Sequence, residues 1–333
     1  MRAADLYVRV RTAMTPPPGE HRPALRVALG LAVPGVALLV AGRPDLIIYA
    51  VFGAITGMYG RAEPRNRRLV HQSQAAAILT LGVTIGVALA NSQLMPATLV
   101  LAAALFATLG SVATDYLALK PEGPFYGVFA LGAVGTVPAG QVSPWSAISI
   151  CAATALLSIV LGALDAPRAS QPIAAAMPRH DVLIHATRYA LAIAVAGTAG
   201  LFLGVDHANW AMAAAAGPLA AVDTSGRIRR GIHRLGGTFI GLGVAAALLI
   251  PQPNAYLLAI AVMALLFPTE LFMAHHHAVA LGFFTPLIML MTDLTRPTAP
   301  LALLTDRGID TIIGVGAAIA VALLMPGRAE STA

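Results

Sequence analysis

A chain of 333 residues that is 58% hydrophobic and only 11% charged is not a water-soluble fold, because soluble domains carry about 25% charged residues and need them at their surface. The net charge of +6 and the pI near 10.0 do not point to nucleic acid, since the basic residues gather in short loops between apolar runs, as topology signals do. The single cysteine, Cys151, lies inside an apolar run and excludes an internal disulfide or a cysteine-based zinc cluster.

Residues 1–24 read as a cytoplasmic segment with Arg2, Arg9, Arg11 and Arg22 and without a cleavable export signal. Within it, Leu6, Val8 and Val10 suit a short amphipathic surface helix over 3–14, with a frayed tail as the competing expectation. Six apolar spans follow at 25–42, 44–60, 71–91, 95–115, 124–141 and 144–164, forming a first transmembrane repeat over 25–164. A polar linker at 165–184 holds Asp165, Pro167, Pro172 and Pro178. The second repeat, 185–325, has spans at 185–204, 207–223, 232–250, 254–272, 276–292 and 306–325, before a tail at 326–333. Gly42-Arg43-Pro44, Pro121-Glu122-Gly123-Pro124 and Pro251-Gln252-Pro253-Asn254 break the runs with residues that disfavour helix interiors. The expected fold is thus all-α, with about twelve transmembrane helices in two parallel six-helix repeats and both termini cytoplasmic.

Two counts support that arrangement. With the N-terminus inside, 18 basic residues fall in inner loops and three, Arg43, Arg296 and Arg307, in outer ones. A shift of 162 residues makes nine of 17 positions identical between 26–42 and 188–204, including Arg26/Arg188, Gly35/Gly197 and Gly42/Gly204. The same shift lays Arg65-Asn66-Arg67-Arg68-Leu69-Val70-His71 on Arg227-Ile228-Arg229-Arg230-Gly231-Ile232-His233 and Pro124 on Pro286. Six spans per half give the halves one orientation, and hence a pseudo-twofold axis along the membrane normal.

The candidate anion pathway follows from the paired clusters. Arg65, Arg67, Arg68 and His71, with Arg227, Arg229, Arg230, His233 and Arg234, open the third helix of each half. Brought together, they form a positive cytoplasmic vestibule that concentrates anions, and arginine's planar fork suits carboxylates. The competing reading makes them topology determinants touching anionic lipid. Arg307 and Asp310 are three apart near the start of the last span, a spacing that permits a local ion pair or a substrate or proton site. Asp206 and His207 precede Trp210 at the outer side, where the tryptophan reads as an interface anchor and the histidine as a proton shuttle. His275-His276-His277 are consecutive, so on a helix they point about 100° apart and do not converge on one metal ion. No P-loop, G-x-S-x-G or H-E-x-x-H pattern occurs, and neither an enzymatic activity nor a cofactor is expected.

Three elements carry a family resemblance. They are His207-Ala208-Asn209-Trp210, the run Arg227 to Gly241 containing Arg234-Leu235-Gly236-Gly237-Thr238, and Arg307-Gly308-Ile309-Asp310-Thr311-Ile312-Ile313-Gly314. They resemble the H-x-x-W, R-L-x-G-T-x-x-G and R-x-x-D-T-x-x-G elements of the FUSC (fusaric acid resistance) or aromatic acid exporter family. In the first half Gln72-Ser73-Gln74-Ala75 replaces the R-L-G-G segment, and the H-x-x-W element is missing. The resemblance implies an inner-membrane exporter of aromatic carboxylic acids. A related plant group of anion channels pairs six-helix subunits around arginine-lined pores. Members with a large cytoplasmic domain between their helices differ from this chain, whose linker has about 20 residues at 165–184. Expected partners are the lipid bilayer and a small organic acid, with a homo-oligomer left open. A passive anion channel and a non-transporting envelope scaffold are the competing functions.

Overall fold

The computed structural model describes residues 19–92, 94–165, 178–204, 207–221 and 223–325. The surface helix expected at 3–14, linker residues 166–177 and Asp206 lie outside them. Among the described residues the regular structure is entirely helical.

The described residues form twelve helical segments in chain order, six before the linker and six after it. They are α1 (His21–Val40), α2 (Pro44–Met58, with 3-10 turns at both ends), α3 (Arg65–Ser92), α4 (Pro96–Tyr116), α5 (Phe125–Gly135) and α6 (Pro144–Leu164). The second half has α7 (Arg179–Phe202), α8 (Ala208–Leu219), α9 (Thr224–Leu249), α10 (Ala255–Met273), α11 (His277–Thr295) and α12 (Pro300–Leu324).

Local chemistry sets the ends. Proline opens α2, α4, α6 and α12, where its missing N–H costs nothing and its φ already suits a helix. Asn254 caps α10 by accepting a hydrogen bond from the Leu257 N–H at 3.0 Å. Gly42 and Gly204, 162 residues apart, end α1 and α7 at φ +70° and +67°, a conformation that side chains resist. Arginine propagates a helix well, so α3 and α9 begin at Arg65 and Thr224 and the basic clusters are helical, ahead of the expected starts at 71 and 232.

Nine of these helices are long and apolar enough to cross a membrane, and the protein is a multi-pass membrane protein. The other three, α2, α5 and α8, have 15, 11 and 12 residues. At 1.5 Å per residue they reach only about 17–22 Å, short of a hydrocarbon core of about 30 Å. They are shorter than the spans expected at 44–60, 124–141 and 207–223, and the reason is their burial. Every residue of α2 except Asp45 is buried, and Phe129, Leu131, Trp210 and Ala214 are at most 1% exposed. A helix surrounded by protein does not have to end at a lipid headgroup.

The helices form two layers. The inner layer is α2, α5, α8 and α11, the last with 78% of its core window buried against 33–56% in the other eight long helices. Those eight surround it and turn leucine, valine and isoleucine outward, among them Leu101, Leu105 and Leu109 on one stripe of α4. Packing partners match between the halves: α2 lies on α6 and α8 on α12; α3 lies on α5 and α9 on α11. Across the halves, α4 packs on α7 and α10 on α1. Both inner–outer crossings need a glycine. A Cβ at Gly53 of α2 would fall 2.6 Å from Thr154 Cβ, and one at Gly314 of α12 would fall 2.6 Å from Ala214 Cβ.

Candidate functional site

A cavity of about 660 Å³ opens between the halves at the basic end of the molecule, a volume typical of small-ligand sites. Three turns and one helix converge on it. Those between α2 and α3 and between α4 and α5 bring Arg61, Glu63, Lys120 and Glu122; α9 adds Arg229, Arg230, His233 and Arg234; and the α10–α11 turn adds His275 and His277. Arg67 joins them from the first turn of α3. Six basic side chains thus face two carboxylates, and a low-dielectric wall focuses that excess. Both carboxylates are engaged, Glu63 Oε2 lying 2.7 Å from His71 Nδ1 and Glu122 Oε2 3.8 Å from Arg230 Nη2, and Arg61 is paired with Glu20 at 2.6 Å.

The cavity ends on aromatic rings. Phe125, Tyr126 and Phe284 line it. Phe125 stacks on Phe129 at 6.2 Å between centroids, Phe284 meets Phe129 edge-on at 6.0 Å, and Tyr126 meets Phe284 edge-on at 6.2 Å. Phe52 of α2 closes the cluster at 5.3 Å from Phe129. Between the halves, below the cavity, the protein is therefore apolar.

The sequence candidates separate into three groups. Arg67, Arg229, Arg230, His233 and Arg234 line the cavity together. Arg65 is exposed and absent from its lining. Arg68, His71 and Arg227 turn into the protein instead: Arg68 donates from Nε to the Gly162 carbonyl at 3.0 Å and from Nη2 to the Asp165 carbonyl at 3.1 Å, and Arg227 donates to the Ala221 carbonyl at 3.0 Å. Their signature looks functional in sequence because like charges repeat, yet the first turns of a helix present side chains on every side. A related device ties first to last helix in each half. Arg26 bonds Asp165 beyond α6 at 2.5 Å, and Arg188, its counterpart at the 162-residue shift, donates to the Met325 carbonyl beyond α12 at 2.9 Å. Cations at helix C-termini meet the negative end of the dipole.

The second half also contains a file of buried polar groups. Trp210, expected as an interface anchor, is fully buried. Its indole is stacked by His207 at 4.3 Å on ring centroids and approached by the Arg307 guanidinium at 5.3 Å. His207 Nδ1 lies 3.3 Å from Asp306 Oδ2. Arg307 and Asp310 are both fully buried but do not close into the expected pair: none of the three guanidinium nitrogens and neither carboxylate oxygen has a hydrogen-bond partner among the described residues. Arg234 sits over the Phe125 ring at 4.9 Å. The Trp210 indole N–H and the Thr238 and Thr285 hydroxyls are buried without partners too. Sequence reading missed Arg61, Lys120 and these threonines. Lys120 carried a signal as the chain's one lysine, whereas the threonines are indistinguishable from those that bond their own helix.

Among the described residues, no three His, Cys, Asp or Glu side chains cluster as metal ligands would.

The basic cavity and the buried polar groups are features of a multi-pass membrane protein. Residues 191–321, from α7 into α12, match the family model described as fusaric acid resistance protein-like. The chain is also similar to an uncharacterized membrane protein, YvaC, of Bacillus subtilis (strain 168), at 27% identity over 142 residues, 41% of this chain. It spans only 22% of that relative's length. No solved structure matches.

Proposed function

We propose that this protein is a transporter, not an enzyme, that exports small organic carboxylate anions, aromatic ones foremost, and takes them up at the basic cavity. The carrying observation is that cavity: Arg67, Arg229, Arg230 and Arg234 from opposite halves share one opening with few counter-charges. In this reading the twelve segments are two parallel six-helix repeats about a pseudo-twofold axis. The matched Gly42/Gly204 ends and Arg26/Arg188 clamps support the symmetry. The basic-loop count supports an inner-membrane orientation with both termini and the cavity cytoplasmic. The aromatic closure below the cavity favours a carrier over a passive channel, because an open pore needs a continuous wet path.

Proteoliposomes holding the full chain are expected to take up labelled benzoate saturably, and neutralising Arg229 and Arg230 together is expected to slow it. Uptake no faster than in protein-free vesicles overturns the reading. Resolved single-channel steps in a planar bilayer would replace the carrier with a channel.

A further inference from the structure

We propose that the second half holds a membrane-buried site for one singly charged carboxylate between Arg234 and Arg307, and that Asp310 sets that valence. This deepens the anion-export reading and rests on it for its direction, but binding is tested separately.

Helix α8 serves as a ruler. The Arg234 guanidinium packs on Gly217, where a Cβ would come within 2.6 Å of its terminal nitrogen, and the Arg307 guanidinium approaches Trp210. Seven residues separate those two contacts, or about 10 Å along the helix. Both cations therefore sit along one stretch of α8. Both are fully enclosed, at 1% and 0% exposure, and each leaves guanidinium N–H groups without an acceptor among the described residues. Each is held against an aromatic face, which fixes a planar fork without occupying its donors. Thr238, one turn along α9 from Arg234, and the Trp210 indole supply further unpartnered donors in the same stretch.

Charge counting then selects the ligand. Arg234 and Arg307 bring two positive charges, and Asp310, buried with neither oxygen hydrogen-bonded among the described residues, brings one negative charge when ionised. The remaining single positive charge is costly at membrane depth. One monoanion cancels it, whereas a dianion leaves a net negative charge in the same place. At the 162-residue shift the first half has Gln72, Trp145 and Ile148 where the second has Arg234, Arg307 and Asp310, so each chain has one such site. The route for the anion accordingly leaves the aromatic floor between the halves and descends through α8, α9 and α12.

The chain has two tryptophans, and Trp145 is 79% exposed, so Trp145→Phe makes Trp210 the sole reporter. Purified protein carrying this change is titrated with benzoate and with phthalate while indole emission is followed. Benzoate is expected to give a saturable change at a midpoint at least about tenfold below that of phthalate. Adding Asp310→Asn is expected to erase or reverse that preference, and adding Arg307→Gln to remove the saturable response. No saturable response in the parent, an unchanged midpoint in R307Q or an unchanged benzoate-to-phthalate ratio in D310N overturns the proposal. Should R307Q fail to elute as a folded species, Arg307→Lys, which keeps the charge and loses the fork, is held to the same criterion with a weakened midpoint expected. Flux without a Trp210 response overturns this site and leaves the transport reading standing. A response without flux does the reverse.

Discussion

The two halves share a packing order and differ in what fills it. Helix α2 places Ile47 and Ile48 where α8 places Asn209 and Trp210. Helix α6 exposes Trp145 where α12 buries Arg307. Gln72, fully buried, donates to the Gly57 carbonyl at 3.4 Å where Arg234 reaches the cavity. The first half is thus a largely apolar wall, aliphatic and aromatic, with basic residues at its rim, and the second carries the buried Arg234, Arg307 and Asp310. The difference teaches that two halves with matching packing order can carry buried polar groups unequally, since packing constrains the apolar faces and not what a buried position holds.

The comparison breaks most directly at Arg307. Arg307→Gln is expected to lower benzoate flux in proteoliposomes by about 100-fold, the scale of losing a desolvated charged contact. A loss below about threefold would show that the buried file is not on the route.

Symmetry of the scaffold is tested by Gly53→Val and Gly314→Val. Each inserts atoms into a helix crossing that has no room for a Cβ, and each is expected to cost about 2–3 kcal/mol. Similar falls in the thermal midpoint in detergent would show that the two crossings are equivalent, and a large fall in one alone would break the symmetry.

The cavity is sharpened by salt. Arg229→Gln with Arg230→Gln should reduce initial flux several-fold at low ionic strength and much less at about 0.15 M, where the Debye length is about 8 Å. An effect independent of salt argues against electrostatic capture. The smallest effect is expected in the first half. Gln72→Leu removes one long buried hydrogen bond and should cost about 1 kcal/mol of stability, with flux changed less than about twofold. A large flux defect there would make both halves part of the route.

Much of this was legible before any coordinates. Prolines and glycines announced the twelve segments: Pro44, Pro96 and Pro144 start helices, and Gly42 and Gly204 stop them. The repeated R-x-R-R-x-x-H signature located the cavity's rim, but not which arginines face it. Arg67 and Arg68 are adjacent, and one lines the opening while the other bonds backbone carbonyls. That choice follows from where α6 ends, 97 residues away in sequence at Asp165. The Arg307–Asp310 spacing similarly permits a pair, but their buried surroundings leave both groups unpaired.

Composition and order along the chain were enough to determine a multi-pass helical membrane protein, the order of its segments with ends displaced by up to eight residues, and its basic end, because those follow from local steric rules and from the cost of moving charge into lipid. Which helices form the inner layer was decided only by tertiary packing. Lipid and protein interior are equally apolar environments, so an alanine- and valine-rich helix reads the same whether lipid or protein surrounds it. Short α8, with Trp210 at its heart, could be recognised as the wall of a buried site only once α9 and α12 were seen to bring Arg234 and Arg307 against it.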